Sequence, residues 1–326
     1  MRTFFSVFLT LAFLLAPAAR SMELPKHRSV VLDYDYVIKD IPEGASIVKI
    51  WAPYPSQTPY QKIKEESPGG WQPKITRDKK YGNKIAYYSI ESPESSSIEI
   101  NMRYNVERYE YSNHPDPASP GKITYSDQEL KKYLLPNKLV TLSPRVKKLA
   151  SEITGDKSTV VEKARAIYDY VFENFTYDKI TPGWGNGDTE RACDLKKGNC
   201  TDFHSVFISL SRASNIPARF VIGIPFPKSG KSKSKSYHCW AEFYVAGTGW
   251  IPVDISEAWK DRSKYEYHFG TVDSSRIEFS KGRDIILEPS QEGEPLNYFI
   301  YPYVEVDGKP YRNVDVVFGI RVKERS

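Results

Sequence analysis

GNCTDFHSVFISLSR, residues 198–212, places a cysteine at the head of an apolar stripe. Phe203, Val206, Phe207, Leu210 and Ala213 recur at three- and four-residue steps, the period of an amphipathic helix. Asn199 stands at the N-cap position, and Asn215 with Pro217 ends the segment, so Cys200 falls in the first helical turn. Backbone N–H groups there have no partner within the helix, and together with the helix dipole they favour an anion. Such a site lowers a thiol pKa from about 8.5 toward neutrality and enriches the attacking thiolate. The same N–H groups can hold the oxyanion of a tetrahedral intermediate. On position alone a packing thiol is the simpler reading, so the rest of the chain has to supply a base.

Upstream the text is helical. SPRVKKLASEITG (143–155) opens with Ser143 as N-cap and Pro144 at the first helical position, and Gly155 reads as a left-handed stop. TVVEKARAIYDYVFENF (159–175) starts on the capping-box pair Thr159 and Glu162, and its stripe Ala164, Ile167, Val171, Phe175 is a core face. TPGWGNGD (181–188) lacks the GK[ST] or strand–loop–helix setting of a phosphate cradle, so its glycines are expected to allow close backbone approach. Downstream, ARFVIGIPF (218–226) reads as a buried strand and KSGKSKSKS (228–236) as a basic, flexible loop. YHCWAEFYV (237–245) and WIPVDI (250–255) form a hairpin around AGTG.

Of the five histidines, His27, His114 and His268 lie in turn-like or packing contexts. His204 shares the helical face of Cys200 but stands a full turn along it, which suits a structural role. His238 is the better base. On its strand His238, Trp240 and Glu242 point one way, and Cys239, Ala241 and Phe243 point the other, into the core. The hairpin return brings Asp254 back beside His238, where a carboxylate would fix the imidazole tautomer and stabilise the imidazolium. Asp254 read by itself is a strand-end cap, and Glu257 is its rival for the partnership.

GNCTDFHSVFISLSRASNIPARFVIGI followed by YHCWAEFYVAGTGWIPVDISEA resembles the transglutaminase-like superfamily, in its exported bacterial branch. The shared marks are a cysteine opening a helix, a histidine with tryptophan two positions on, and an aspartate after a GW-hydrophobic-P-x-D turn. Here these are Cys200, His238 with Trp240, and Asp254, spaced 38 and 16 residues apart. ARAIYDYVFENFTYD and GWGNGD are also similar to the family. The resemblance implies an α+β fold: a papain-like transglutaminase core, with helices packed on an antiparallel sheet, preceded by an N-terminal β-sandwich. It implies acyl transfer on a carboxamide or peptide bond through Cys200, His238 and Asp254, without metal or cofactor. Because cross-linking members hold the oxyanion with an upstream tryptophan, Trp184 becomes a candidate for that role, with packing as the alternative.

The flanks carry no chemistry. SVVLDYDYVI, SIVKIWAPYP, KIAYYSIES and SIEINMRYNVERYEY alternate between turn signals, as a sandwich over 29–112 would. NHPDPASPG heads a linker, 113–142; the core then spans 143–260 and a β extension 261–326. Residues 1–21 read as a signal peptide: Arg2, an apolar run from Phe4 to Ala16, then small residues. That run is too short to span a bilayer, so a periplasmic or secreted protein with no membrane span after processing is expected. The net charge of +5 is spread thinly, which argues against nucleic acid, and the resemblance implies protein, peptide or cell-envelope amides as substrates.

Three cysteines, an odd number, leave at least one free thiol. A Cys193–Cys239 bridge and two buried thiols both remain open. No zinc-ligand spacing occurs. Asn174 and Asn199 match the glycosylation sequon, and a glycan on Asn199 would block the thiol, so that match is read as accidental. The competing functional reading is a non-catalytic envelope binding or assembly module that retains the fold.

Overall fold

The computed structural model describes residues 27–66, 70–115, 128–227 and 229–323. The expected signal peptide, residues 1–21, lies outside them. Two five-stranded sheets form a sandwich. One runs in the order Lys231–Ser234, Val314–Val322, His27–Ile38, Ile98–Tyr109, Gln61–Glu66, and the other in the order Lys309–Tyr311, Tyr303–Val306, Ile47–Pro53, Lys84–Glu91, Lys74–Arg77. Alternation explains the pairing. Val30, Leu32, Tyr34, Tyr36 and Ile38 are buried beside Ile98, Ile100, Met102, Tyr104 and Val106, and Val48, Ile50, Ala52, Ala86 and Tyr88 belong to the same core.

Two placements differ from the sequence reading. The last strands, assigned there to a C-terminal extension, hydrogen-bond into both sheets of the sandwich: Val314–Val322 pairs with His27–Ile38, and Tyr303–Val306 with Ile47–Pro53. The basic segment read as a flexible loop also joins, since Lys231–Ser234 pairs with Val314–Val322. Its alternating small serines suit a sheet edge, and its lysines keep that edge soluble.

The core sheet is antiparallel, ordered Gly249–Val253, His238–Val245, Ala218–Pro225, Arg276–Lys281. The expected hairpin is present, with Ala241 opposite Val253 and Val245 opposite Gly249. The helix Cys200–Ala213 packs on the inner face of this sheet, where the Phe207 and Phe243 rings meet at 6.2 Å. Trp240 lies on the other face with Val221 and Val272. The helices Pro144–Thr154 and Val160–Asn174 start as expected, on Ser143 and on the Thr159–Glu162 capping box. Gly155 differs: it is right-handed, with φ −64°, because the chain continues helically until Lys157 N bonds Thr154 O at 3.1 Å.

Residues 128–142 pack on the core, with Leu130, Tyr133 and Val140 buried. Arg212 Nη1 holds them by donating to Leu135 O and Asn137 Oδ1, both at 2.7 Å. Sandwich and core share one continuous apolar interior. At their junction the Gln61 amide brackets Glu278, donating to its carbonyl and accepting from its N–H, both at 2.8 Å. Among the described residues no helix is long and apolar enough to cross a membrane.

Candidate active site

Asn199 caps the central helix as its sequence suggests: its Oδ1 accepts from Thr201 N at 2.8 Å. The reciprocal partner is Asp202, whose Oδ2 accepts from Asn199 N at 2.9 Å and completes a capping box. The same carboxylate accepts from Gly185 N at 2.7 Å and Gly187 N at 3.1 Å, clamping the glycine loop onto the first helical turn. Gly187 has φ +62°, and a Cβ there would collide with Ser205 Oγ, so close approach does require glycine. Arg283 closes the loop from the far side, reaching Ser205 Oγ at 2.7 Å and Asn186 O at 2.8 Å. Asn199 is 2% exposed and its Nδ2 donates to Tyr237 OH at 3.0 Å, which leaves no room for a glycan.

Cys200, His238 and Asp254 meet at the start of this helix, 2%, 4% and 0% exposed. His238 and the Cys200 thiol each stabilise the other's charged form, and the His238 Nε2 lies 2.7 Å from Asp254 Oδ2. An ionised carboxylate only accepts, so Nε2 carries a proton and Nδ1 is left to exchange one with the thiol. Burial pulls the His238 pKa down, but the Asp254 charge outweighs it and the result is about 9. The Cys200 thiol is held well below its ordinary value by a hydrogen bond from Cys239 and by His238, against the effect of burial.

Asp254 makes contacts on both sides, because a carboxylate has two oxygens. Oδ1 caps the helix Ile255–Lys260, accepting from Glu257 N and Ser256 Oγ at 3.1 Å each. Oδ2 faces His238 and also Arg276 Nη1, at 2.5 Å. Burial raises its pKa, but the His238 and Arg276 charges overcome this and keep it well below the carboxylate range. Glu257 remains more distant, with Oε1 3.8 Å from His238 Nδ1, and is paired with Lys260 at 2.7 Å.

Cys239 is the residue whose surroundings the strand alternation described incompletely. It is fully buried in the core, as expected, yet its Sγ faces the Cys200 turn: 3.6 Å from Thr201 Oγ1 and 3.9 Å from His204 Nδ1. The inner face of this strand is the face that carries the helix, so a core-facing side chain there meets the helix start. All three cysteines are free thiols, so Cys193 and Cys239 are not bridged. His204 is structural in its contacts. Its Nε2 accepts from Ile255 N at 3.1 Å, while burial lowers its pKa to about 4.

Trp184 sits in the clamped loop, 37% exposed, and is not among the partners described for Cys200, His238 or Asp254. Arg276 and Asp202 were not singled out from the sequence. The Asn199–Asp202 spacing is a readable capping signal, whereas Arg276 reaches Asp254 through strand pairing from 22 residues away. Among the described residues no group of three His, Cys, Asp or Glu side chains is arranged to hold a metal ion.

Residues 147–255 match the transglutaminase-like superfamily. An uncharacterized protein of Haemophilus influenzae is 29% identical over 324 aligned positions, covering 86% of either chain. The uncharacterized protein YebA of Bacillus subtilis is 27% identical over 159 positions, 44% of this chain and 21% of that one. A solved structure from Cytophaga hutchinsonii, provisionally named a cysteine protease, superposes with a TM-score of 0.58 at 15% identity, over 91% of this chain and 98% of the other. The shared fold therefore spans sandwich and core alike, and within it residues 147–255 are similar to the transglutaminase-like superfamily.

Proposed function

We propose that the protein is a cysteine acyl transferase whose ordinary acceptor is water. The Cys200 thiolate attacks a carboxamide or peptide carbonyl, and the Cys200 backbone N–H at the helix start holds the oxyanion, since the N–H groups of Thr201, Asp202 and Phe203 are taken by Asn199. His238 gives its proton to the departing amine as the C–N bond breaks, then takes one from the water that hydrolyses the thioester. An amine in place of that water would give transamidation. Asp254 keeps the imidazole oriented and charged.

One observation carries this reading: a buried imidazole whose Nε2 lies 2.7 Å from a buried carboxylate, beside a thiol at a helix N-terminus whose pKa that imidazole lowers. A non-catalytic envelope module needs neither a stabilised thiolate nor a charged imidazole. The reading also has the protein work on protein, peptide or cell-envelope amides outside the cytoplasm, periplasmic or secreted. That part rests on Arg2 and the apolar run Phe4–Ala16.

The test is iodoacetamide alkylation against pH with mass mapping, run beside peptide hydrolysis and amine-incorporation assays. Cys200 is expected to label with an apparent pKa below about 8.5, shifting toward that value in His238→Ala. Turnover should vanish in Cys200→Ala. Slow labelling indifferent to His238, with no turnover of either kind, would leave the binding module as the better reading.

A further inference from the structure

The acyl-transfer reading uses one thiol of a contacting pair and leaves the second unexplained. Cys239 is fully buried, yet its Sγ lies against the Cys200 turn, with Thr201 Oγ1 at 3.6 Å and His204 Nδ1 at 3.9 Å, so it reaches the residue next to Cys200 and the ring one turn on. The two thiols come from facing elements, a helix start and a strand start, so neither has to cross the core to reach the other. Their chemistry is opposite. Cys200 is held as thiolate by its neighbours, whereas burial and the adjacent Cys200 charge push Cys239 well up and keep it a thiol. A thiolate beside a second thiol is the arrangement in which a sulfenic acid can be resolved to a disulfide.

We propose that Cys200 and Cys239 form a reversible oxidation site, closed by hydrogen peroxide and reopened by a dithiol. The Cys200 thiolate attacks one peroxide oxygen; the O–O bond breaks, hydroxide leaves, and the sulfur, having lost two electrons, becomes the sulfenic acid. Cys239 then attacks that sulfur. The S–S bond forms as the S–O bond breaks, and the oxygen leaves as water with the Cys239 proton. Reduction by a dithiol restores both thiols and converts the dithiol to its own disulfide. The oxidant has to be small, since Cys200 is 2% exposed. Cys193, on the separate helix Thr189–Leu195, supplies an internal control, because burial raises its pKa to about 11. Without Cys239 the sulfenic acid has no resolving partner and proceeds to sulfinic acid, which dithiols do not reverse. The second cysteine therefore protects the first.

The experiment treats the protein with stoichiometric hydrogen peroxide, blocks remaining thiols with iodoacetamide, and maps tryptic peptides without reduction. A linked pair is expected between peptides 198–212 and 236–260, and dithiothreitol should return the Cys200 thiol nearly completely. In Cys239→Ala, and in Cys239→Ser should the first variant not fold, the linked pair disappears. Recovery of the Cys200 thiol should then fall by roughly tenfold or more as sulfinic acid accumulates. Irreversible oxidation of the unaltered protein, or a bridge through Cys193, would overturn the proposal. The readout needs no substrate. A protein that forms the bridge but turns nothing over sinks the acyl transferase alone, and one that turns over amides but oxidises irreversibly sinks the dithiol alone.

Discussion

Arg276 Nη1 lies 2.5 Å from Asp254 Oδ2, the same oxygen that His238 Nε2 approaches at 2.7 Å. Two cations thus share one acceptor, and Arg276 tempers the hold of Asp254 on the imidazolium. Arg276 is itself anchored by Asp273, at 3.0 Å. Arg276→Gln removes a competing charge, so the His238 pKa should rise above about 9, as NMR titration of the ring would show. The loosened Asp254 should cost turnover about 10²-fold through misplacement of the imidazole. A fall in the His238 pKa would contradict the shared-oxygen account.

His238 also sets an alkaline limit. Its pKa is raised from 6.5 to about 9, so the stabilisation from its charge is complete below 6.5 and is lost as pH rises through 9. Amide turnover should fall as pH rises through about 9, because the neutral imidazole keeps only its Nε2 proton, facing Asp254, and has none on Nδ1 for the leaving amine. A kcat/KM profile should show the limb near pH 9, and thermal melts should lose stability in that window. A limb that persists in His238→Gln would assign it to another group.

His204 works in the opposite direction. Burial lowers its pKa from 6.5 to about 4, so the unfolded chain binds its proton first as pH falls. The protein should lose stability between pH 6.5 and about 4 from this ring alone. His204→Gln keeps an acceptor for Ile255 N–H and removes the titration, so its melting temperature should depend less steeply on pH across that interval. Equal slopes in both proteins would rule the ring out as the cause.

The Asp202 clamp predicts a mobile loop when it is cut. Asp202→Ala leaves the N–H groups of Asn199, Gly185 and Gly187 without their acceptor, at about 1–3 kcal/mol for each group that stays buried. Limited proteolysis should then nick residues 181–188 well before global unfolding, and the melting temperature should drop. Unchanged cleavage would show that Arg283 holds the loop without help.

The elements with short-range signals were legible. Ser143, Thr159 and Asn199 announce their helices by local capping chemistry, and the hairpin around Gly247 follows from alternation interrupted by a turn. Cys200, His238 and Asp254 could be brought together because one helix start and one hairpin determine all three. What stayed hidden depends on distant pairing. Arg276 reaches Asp254 only because its strand lies beside Ala218–Pro225, and nothing local in RIEFSK says so. The destination of Val314–Val322 was equally unreadable, since alternation tells which face is buried but not which strand is the neighbour. For Cys239, alternation gave the correct face without revealing that the helix start lies over it.

The pairing of Lys231–Ser234 with Val314–Val322 has a consequence for the order in which the molecule can be made. The segment leading into His238 is fastened to a strand that leaves the ribosome long after it. A chain interrupted before residue 314 carries its nucleophile and its base, but the strand that anchors the approach to His238 has not yet been synthesised. The approach to His238 is thereby tied to a late strand: a chain ending before residue 314 holds its thiol without the strand on which Lys231–Ser234 is anchored.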